Sequence, residues 1–390
     1  MVKLDDLLFV YYKSRKKKRR SFDSVRFELD LESNLKSLCD RINSRTVDTS
    51  GNYAFVVTYP KHREIFATIM ENRILHHYID WRLRDIYEKV LSDRSFNNRE
   101  GKGLHLAIST FQNDVREMSE NYTNDAWIFH LDLKGYFPNA DVEIALNQQL
   151  KILDEFYDGD DKEDLRYMLQ ESMTSDPARN CKVFVPRECW NCIAPEKSLF
   201  NKPVGVGAAI GFLCWQNAMG MYINDIVKWL QTFNFMRVVV FVDDIYIVSR
   251  DKKRFLDLMP ELRHRLSLLK VNLNEKKFYC QHFSKGVMCL GTMLKFDRMY
   301  TNNTSYSRAL NKIDNLKKSK SKPSEVLCSL NSHVGNIKKK NQERRLSAFV
   351  EKALKKFRKI LSWNETRRGF NLKKKDKFFI HYVRERRAYA

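Results

Sequence analysis

Apolar positions recur along this chain with two different periods. Near the N-terminus Leu4, Leu7, Leu8 and Tyr11 share one helical face, and a second run passes from Leu29 through Leu31, Leu35 and Leu38 to Ile42, so residues 1–50 are expected to be helical. Tyr53-Ala-Phe-Val-Val-Thr-Tyr is rich in β-branched and aromatic residues and is stopped by Pro60, which predicts a strand. Helical spacing returns over residues 64–91, with Ile65, Ile69, Ile74 and Tyr78 near one face. Two later runs, Trp127-Ile-Phe-His-Leu-Asp-Leu and Val238-Val-Val-Phe-Val-Asp-Asp-Ile-Tyr-Ile-Val, are β-type and pass directly from apolar residues into carboxylates. Between them, residues 211–230 have helical periodicity. From about Ser305 the pattern becomes helical and basic, with breaks expected at Lys322-Pro323 and near Trp363. Residues 364–390 read as a cationic tail with one strand-like piece, Phe378-Phe-Ile-His-Tyr-Val. Strands and helices alternate without the Gly-rich phosphate loops of nucleotide-binding parallel sheets, so the expected class is α+β.

Composition narrows the picture. A chain of 390 residues that is 43% hydrophobic and 30% charged, with 13 Gly and 8 Pro, is globular and long enough for two or three packed subdomains. No apolar run reaches the roughly 18 residues of a membrane helix, and the eight cysteines are too scattered for a disulfide framework. A soluble protein of a reducing, cytoplasmic setting is expected. The formal net charge is +22, and residues 305–390 hold 25 Lys and Arg against 7 Asp and Glu, so most of the excess is local. Seven of the eight residues from 13 to 20 are basic as well. Two such blocks favour a nucleic-acid partner over solvated faces.

The acids then gain meaning. Two adjacent carboxylates inside an apolar hairpin would be costly without compensation, which bound cations supply. Asp132 closes the other strand-like run, and the chemistry that suits Asp132, Asp243 and Asp244 is a pair of hard divalent cations bridging substrate phosphates. One ion would activate a 3′-hydroxyl and the other would stabilise departing pyrophosphate.

At these residues the sequence resembles the reverse transcriptase family. Phe241-Val242-Asp243-Asp244 matches the aromatic-X-Asp-Asp catalytic hairpin, and Asp132-Leu-Lys-Gly-Tyr-Phe137 matches the Asp-X4-aromatic motif. Further motifs follow in order over roughly residues 1–350: Pro60-Lys-His-Arg-Glu-Ile-Phe-Ala, Asn72-Arg73-Ile-Leu-His-His, Arg99-Glu-Gly-Lys-Gly-Leu-His105, Ala209-Ile210-Gly211-Phe-Leu-Cys-Trp-Gln216, Leu273-Asn-Glu-Lys-Lys-Phe and Ser284-Lys-Gly-Val-Met-Cys-Leu290-Gly291. Ser329-Leu-Asn-Ser-His-Val-Gly looks like the start of the thumb's helix.

The resemblance implies a right-hand polymerase fold with fingers, a palm built on an antiparallel sheet, and a helical thumb. In this division residues 1–50 are a basic helical N-terminal region, 51–304 the fingers and palm, 305–363 the thumb and 364–390 the tail. It implies RNA-directed DNA synthesis with two Mg2+ ions, or Mn2+ in their place, held by Asp132, the backbone carbonyl of Leu133, Asp243 and Asp244. Nucleotide-binding candidates are Arg73, Arg99, Lys102, Phe137, Ile210, Gly211, Gln216, Lys276 and Lys277, with Leu290 and Gly291 as a primer grip. Phe137 would exclude a 2′-hydroxyl by clash, Arg99 and Lys102 would grip the triphosphate, and Gly211 would let the backbone approach the base pair. Spacing does not separate Lys276 from Lys277 as the lysine near pyrophosphate.

Length, the Tyr11-Tyr12-Lys-Ser-Arg-Lys-Lys-Lys-Arg block and the short Ile-Gly-X4-Gln form look most like reverse transcriptases of diversity-generating retroelements, bacterial or phage-encoded. Ile210 stands where Gln is usual, which implies frequent errors at template adenines. Implied partners are an RNA template, a DNA or RNA primer, deoxynucleoside triphosphates and a small basic accessory protein, with no membrane. The competing readings are a defence-associated or retron-type enzyme and a non-catalytic RNA-binding protein on the same fold. Cys181, Cys189 and Cys192 lack a nearby fourth zinc ligand, so free thiols are expected.

Overall fold

The computed structural model describes residues 1–16, 18–58, 61–340 and 342–373. It divides into two compact units, the first comprising Met1–Asp114 and Ala126–Cys280, the second Val115–Asp125 and the chain from Gln281 onward. Pro60 and the strand-like piece at residues 378–383 lie outside the described residues.

The first unit is organised around a sheet in the order Met236–Phe241, Asp244–Ser249 and Trp127–Asp132, followed by a fourth strand, Tyr279–His282, that begins in this unit and ends in the second. Its first three strands pair antiparallel, with Phe241 opposite Asp244 and Asp132 opposite Asp244. Val238, Val239, Val240, Ile245 and Ile247 are all buried, so both faces of the central strands are covered and the apolar runs need not alternate. The helix Lys252–Leu268, capped by the Asp251 carboxylate accepting from Arg254 N, packs Phe255 against Phe129 with ring centroids 4.2 Å apart. A second sheet joins Tyr53–Val57 antiparallel to Arg63–Ala67 and parallel to Lys182–Val183.

Several sequence expectations change here. Residues 63–67 form a strand and the helix begins at Met70, because Glu64 and Phe66 both point inward from the paired strand. The buried Glu64 carboxylate accepts from Trp190 Nε1 at 2.7 Å, Ser198 Oγ at 2.6 Å and Leu199 N at 2.7 Å, which satisfies a charge that sequence patterning reads as solvent-facing. The run from Leu29 to Ile42 is interrupted. Leu29 is 82% exposed, and the helix restarts at Leu31 with Leu35, Leu38 and Ile42 buried. Leu4 is exposed too, while Leu7, Val10 and Tyr11 make the buried face. Residues 211–230 hold two helices, Leu213–Tyr222 and Asn224–Gln231, and Asn224 at the break receives Ser92 N and donates to Val90 O.

The second unit has its own core. Three helices, Asn303–Lys318, Pro323–Lys338 and Glu343–Phe357, bury Ile313, Val326, Leu330, Phe349 and Ala353 together. Pro323 sits at the start of its helix, where its missing N–H is no loss. Ser329 lies inside this second helix, so it does not begin one. The boundary expected at 363/364 falls within a hairpin, Leu361–Asn364 paired with Gly369–Leu372, whose Leu361, Phe370 and Leu372 join the helical core. Residues 364–372 are therefore packed structure; apolar residues within a basic context are easily mistaken for tail. The strands Val287–Cys289, Thr292–Leu294 and Met299–Thr301 form a small antiparallel sheet. No described helix is long and apolar enough to cross a membrane.

Candidate active site

Backbone register brings Asp132, Asp243 and Asp244 to one end of the main sheet. Asp132 and Asp244 are direct cross-strand partners, and Asp243 occupies the two-residue turn that joins Phe241 to Asp244. The other turn residue, Val242, has φ 61°, a region that β-branched residues avoid. That strained turn is held from outside. Val242 N donates to Asn97 Oδ1 at 3.3 Å, and the segment around Asn97 pairs with the hairpin through Phe96 N to Val240 O and Val240 N to Arg94 O. Leu133 N donates to Asp243 O at 3.0 Å, tying the first acidic strand to the turn.

The electrostatics follow from this crowding. Burial raises the pKa of Asp243 above the ordinary carboxylate range, and the negative charges of Asp244 and Asp132 push it in the same direction. Asp132, 6% exposed, accepts from Lys277 Nζ at 2.5 Å and Asn274 Nδ2 at 3.0 Å. The hydrogen bond to Asp132 raises the Lys277 pKa, with Asp132, Asp243 and Asp244 all adding favourable charge. Asp244 Oδ1 lies 2.7 Å from His130 Nε2, and the His130 ring stacks on Tyr246 with centroids 4.5 Å apart.

The donor set is hard oxygen from three carboxylates, which suits Mg2+ or Mn2+. Among the described residues no three Asp, Glu, His or Cys side chains already converge as a ligand set. Asp132 is turned to Lys277 and Asn274, and Asp244 to His130. The residues fit divalent ions in composition and backbone register; both oxygens of Asp132 are engaged, Oδ1 by Lys277 and Oδ2 by Asn274, and His130 engages Oδ1 of Asp244.

Of the other expected residues, Phe137 lies on the loop after Asp132, where its carbonyl accepts from Ala208 N at 2.8 Å, so the structure brings it beside the segment containing Ile210 and Gly211. Ile210 O accepts from Phe66 N at 2.8 Å. Gly211 has φ 120°, and a Cβ there would lie 2.2 Å from Phe66 O. A close approach to the neighbouring strand thus already demands this glycine. Gln216 O accepts from Asn98 Nδ2.

Arg99 is turned inward with its side chain 6% exposed, bonded to the Glu88 carboxylate and to the carbonyls of Glu88, Ser92 and Ser95. It secures the segment that carries Asn97, and a phosphate could reach it only if those bonds broke. Lys102 donates to Asp93 O, and Arg73 Nε to Ser14 O. The geometry separates the two lysines: Lys277 faces the carboxylates, and the structure records no such contact for Lys276. Leu290 and Gly291, at φ 47° and 76°, form the two-residue turn between Val287–Cys289 and Thr292–Leu294 in the second unit. Both residues at φ > 0 is the geometry tight hairpins favour. Cys189 and Cys192 are exposed free thiols, and Cys181 is half-buried.

Sequence reasoning missed His130, Asn274, Asn97 and Glu64. His130 was within reach, since it sits two residues before Asp132 and so shares its face of the strand. Nothing local marks Asn97, whose partner Val242 is 145 residues away.

No curated protein matches the chain. Among solved structures, apo telomerase from Candida tropicalis truncated from its C-terminal domain is similar at 12% identity and a TM-score of 0.46, over 65% of this chain and 55% of that one. Telomerase from Candida albicans, in complex with a TWJ fragment of telomeric RNA, is similar at 10% identity and a TM-score of 0.46, over 81% of this chain and 56% of that one. The chain thus spans little more than half the length of these telomerases. Residues 59–294 match the model of the family described as reverse transcriptase (RNA-dependent DNA polymerase). That match takes in Asp132, Asp243, Asp244 and their hydrogen-bond partners His130, Asn274 and Lys277, and the chain belongs to the reverse transcriptase family.

Proposed function

We propose that this chain synthesises DNA on an RNA template by nucleotidyl transfer at Asp132, Asp243 and Asp244. The observation that carries the reading is the register: antiparallel pairing sets Asp132 opposite Asp244 with Asp243 in the adjoining turn. Two divalent ions, Mg2+ or Mn2+, held by these carboxylates and the Leu133 carbonyl would activate the primer 3′-hydroxyl and neutralise charge on the departing pyrophosphate.

The protein's own groups then have distinct tasks. Lys277 supplies countercharge to the bare carboxylates and, once displaced from Asp132, is the ammonium best placed to meet pyrophosphate oxygens. Phe137 sits under the incoming sugar, and Ile210, Gly211 and Gln216 form the wall beside it. Triphosphate contact falls to Lys102 and Arg73, with Arg99 holding the Asn97 segment against the hairpin and Lys276 standing further out. Leu290 and Gly291 steady the primer end. Primer extension on a primed RNA template should stop when divalent ions are chelated and return with Mg2+ or Mn2+; extension that survives chelation would refute the metal assignment.

The finer reading is a diversity-generating retroelement enzyme working with a small basic accessory protein. Its support is Ile210, whose aliphatic side chain offers no hydrogen bond to a nucleotide. Ile210→Gln is expected to lower misincorporation opposite template adenine by about tenfold, the scale of one well-formed polar contact. Sequencing of products from both proteins reads this out, and equal error rates would sink it.

A further inference from the structure

We infer that the second unit carries an RNA-binding cleft separate from the carboxylate site, which takes one unpaired nucleotide with its phosphate. The cleft lies between the helix Pro323–Lys338 and the hairpin Leu361–Asn364/Gly369–Leu372, and its volume is about 260 Å³. That is near the lower end of small-ligand pockets, roughly 300–1,000 Å³. A single base can enter it, and a duplex cannot.

Its walls have the chemistry for such a guest. Lys338, Arg367 and Arg368 line it, and no acid does. Arg368 is already paired, its Nη2 lying 2.5 Å from Glu343 Oε2. Among the described residues neither Lys338 nor Arg367 pairs with a carboxylate, and both are exposed, so their charge is available to phosphate. The hairpin wall is rigidly placed, because Asn331 receives Phe370 N at 2.7 Å and donates to Phe370 O at 3.0 Å, as a neighbouring strand would. Asn371, half-buried in the lining, offers an amide to a base edge.

Gly335 leaves the helix wall without a side chain, and a Cβ there would meet nothing within 4 Å. Its backbone is helical, so a side chain at this position projects into open space and strengthens the helix. This permits a test that leaves charge untouched. A chain with net charge +22 will bind any polyanion, whereas filling a cleft removes only binding that uses the cleft.

The experiment compares full-length protein binding to a hairpin RNA with an unpaired loop and to a blunt RNA duplex of equal length, by fluorescence anisotropy. Wild type is expected to prefer the loop by about tenfold, the scale of one accommodated base. Gly335→Gln should abolish that preference while leaving duplex affinity in place, and its melting temperature should equal or exceed that of wild type. Arg367→Ala should weaken loop binding and lower the salt slope by about one. A single-stranded DNA of the loop sequence distinguishes RNA from nucleic acid in general, and DNA bound as tightly as RNA would overturn the RNA assignment. A loop preference that persists in Gly335→Gln, or equal losses on loop and duplex, would overturn the cleft. Failure of primer extension with the preference intact would count against the polymerase reading alone.

Discussion

Asp243→Asn is expected to reduce primer extension by on the order of 10³-fold or more, the loss that follows from removing several kcal/mol of metal-borne transition-state stabilisation. The same change should make the metal-free protein more stable. Burial, with Asp244 and Asp132 adding to it, raises the folded-state pKa of Asp243. For an acid shifted upward, stability is fully present below the unfolded value of about 3.9 and is lost as pH rises from there through the folded value. Wild type should therefore lose stability across that window, and the Asn variant should lose less. At neutral pH the variant should melt higher than wild type without metal, and divalent ions should raise the wild-type melting temperature while barely moving the variant's. Thermal unfolding with and without Mg2+, beside primer extension, checks both halves. A variant that still extends primers, or one no more stable than wild type without metal, would show that Asp243 does not sit in a crowded cation site.

Gly211→Ala should be the most damaging small substitution in the first unit. Its φ of 120° lies where L residues rarely go, and the new methyl would stand 2.2 Å from Phe66 O. Backbone strain of about 1–3 kcal/mol adds to loss of the Phe66 N to Ile210 O hydrogen bond, about 1 kcal/mol more. A total near 2–4 kcal/mol is a large part of the usual 5–15 kcal/mol of a folded domain. Because the strand that must move also holds the Ile210 carbonyl, KM for the incoming nucleotide should rise along with the fall in melting temperature. Gly101→Ala is the control. Gly101 also has positive φ, 71°, yet a Cβ there meets nothing within 4 Å, so only the left-handed backbone cost of about 1–2 kcal/mol applies. Equal destabilisation by the two changes would remove the steric argument.

Legibility in the sequence divides along a physical line. The acidic hairpin was readable because strand periodicity and carboxylate position are local properties. The helix pattern after residue 305 was readable for the same reason, and the first of those helices begins at Asn303. Residues 63–67 were misread as helix, since Glu64 becomes an inward residue only when Trp190, Ser198 and Leu199 arrive from far along the chain. Arg99 had the look of a phosphate ligand, and its partners are instead Glu88 and three nearby carbonyls.

By itself the sequence determined the α+β class, the family and the concentration of positive charge toward the C-terminus, because each depends on residue type and short-range spacing. Tertiary structure decided which lysine faces Asp132, that His130 engages Asp244, that Gly211 serves a strand, and that residues 364–372 are packed rather than trailing. Those outcomes rest on hydrogen bonds and clashes between segments tens to more than a hundred residues apart. Chain closure sets such distances, and no local pattern encodes them.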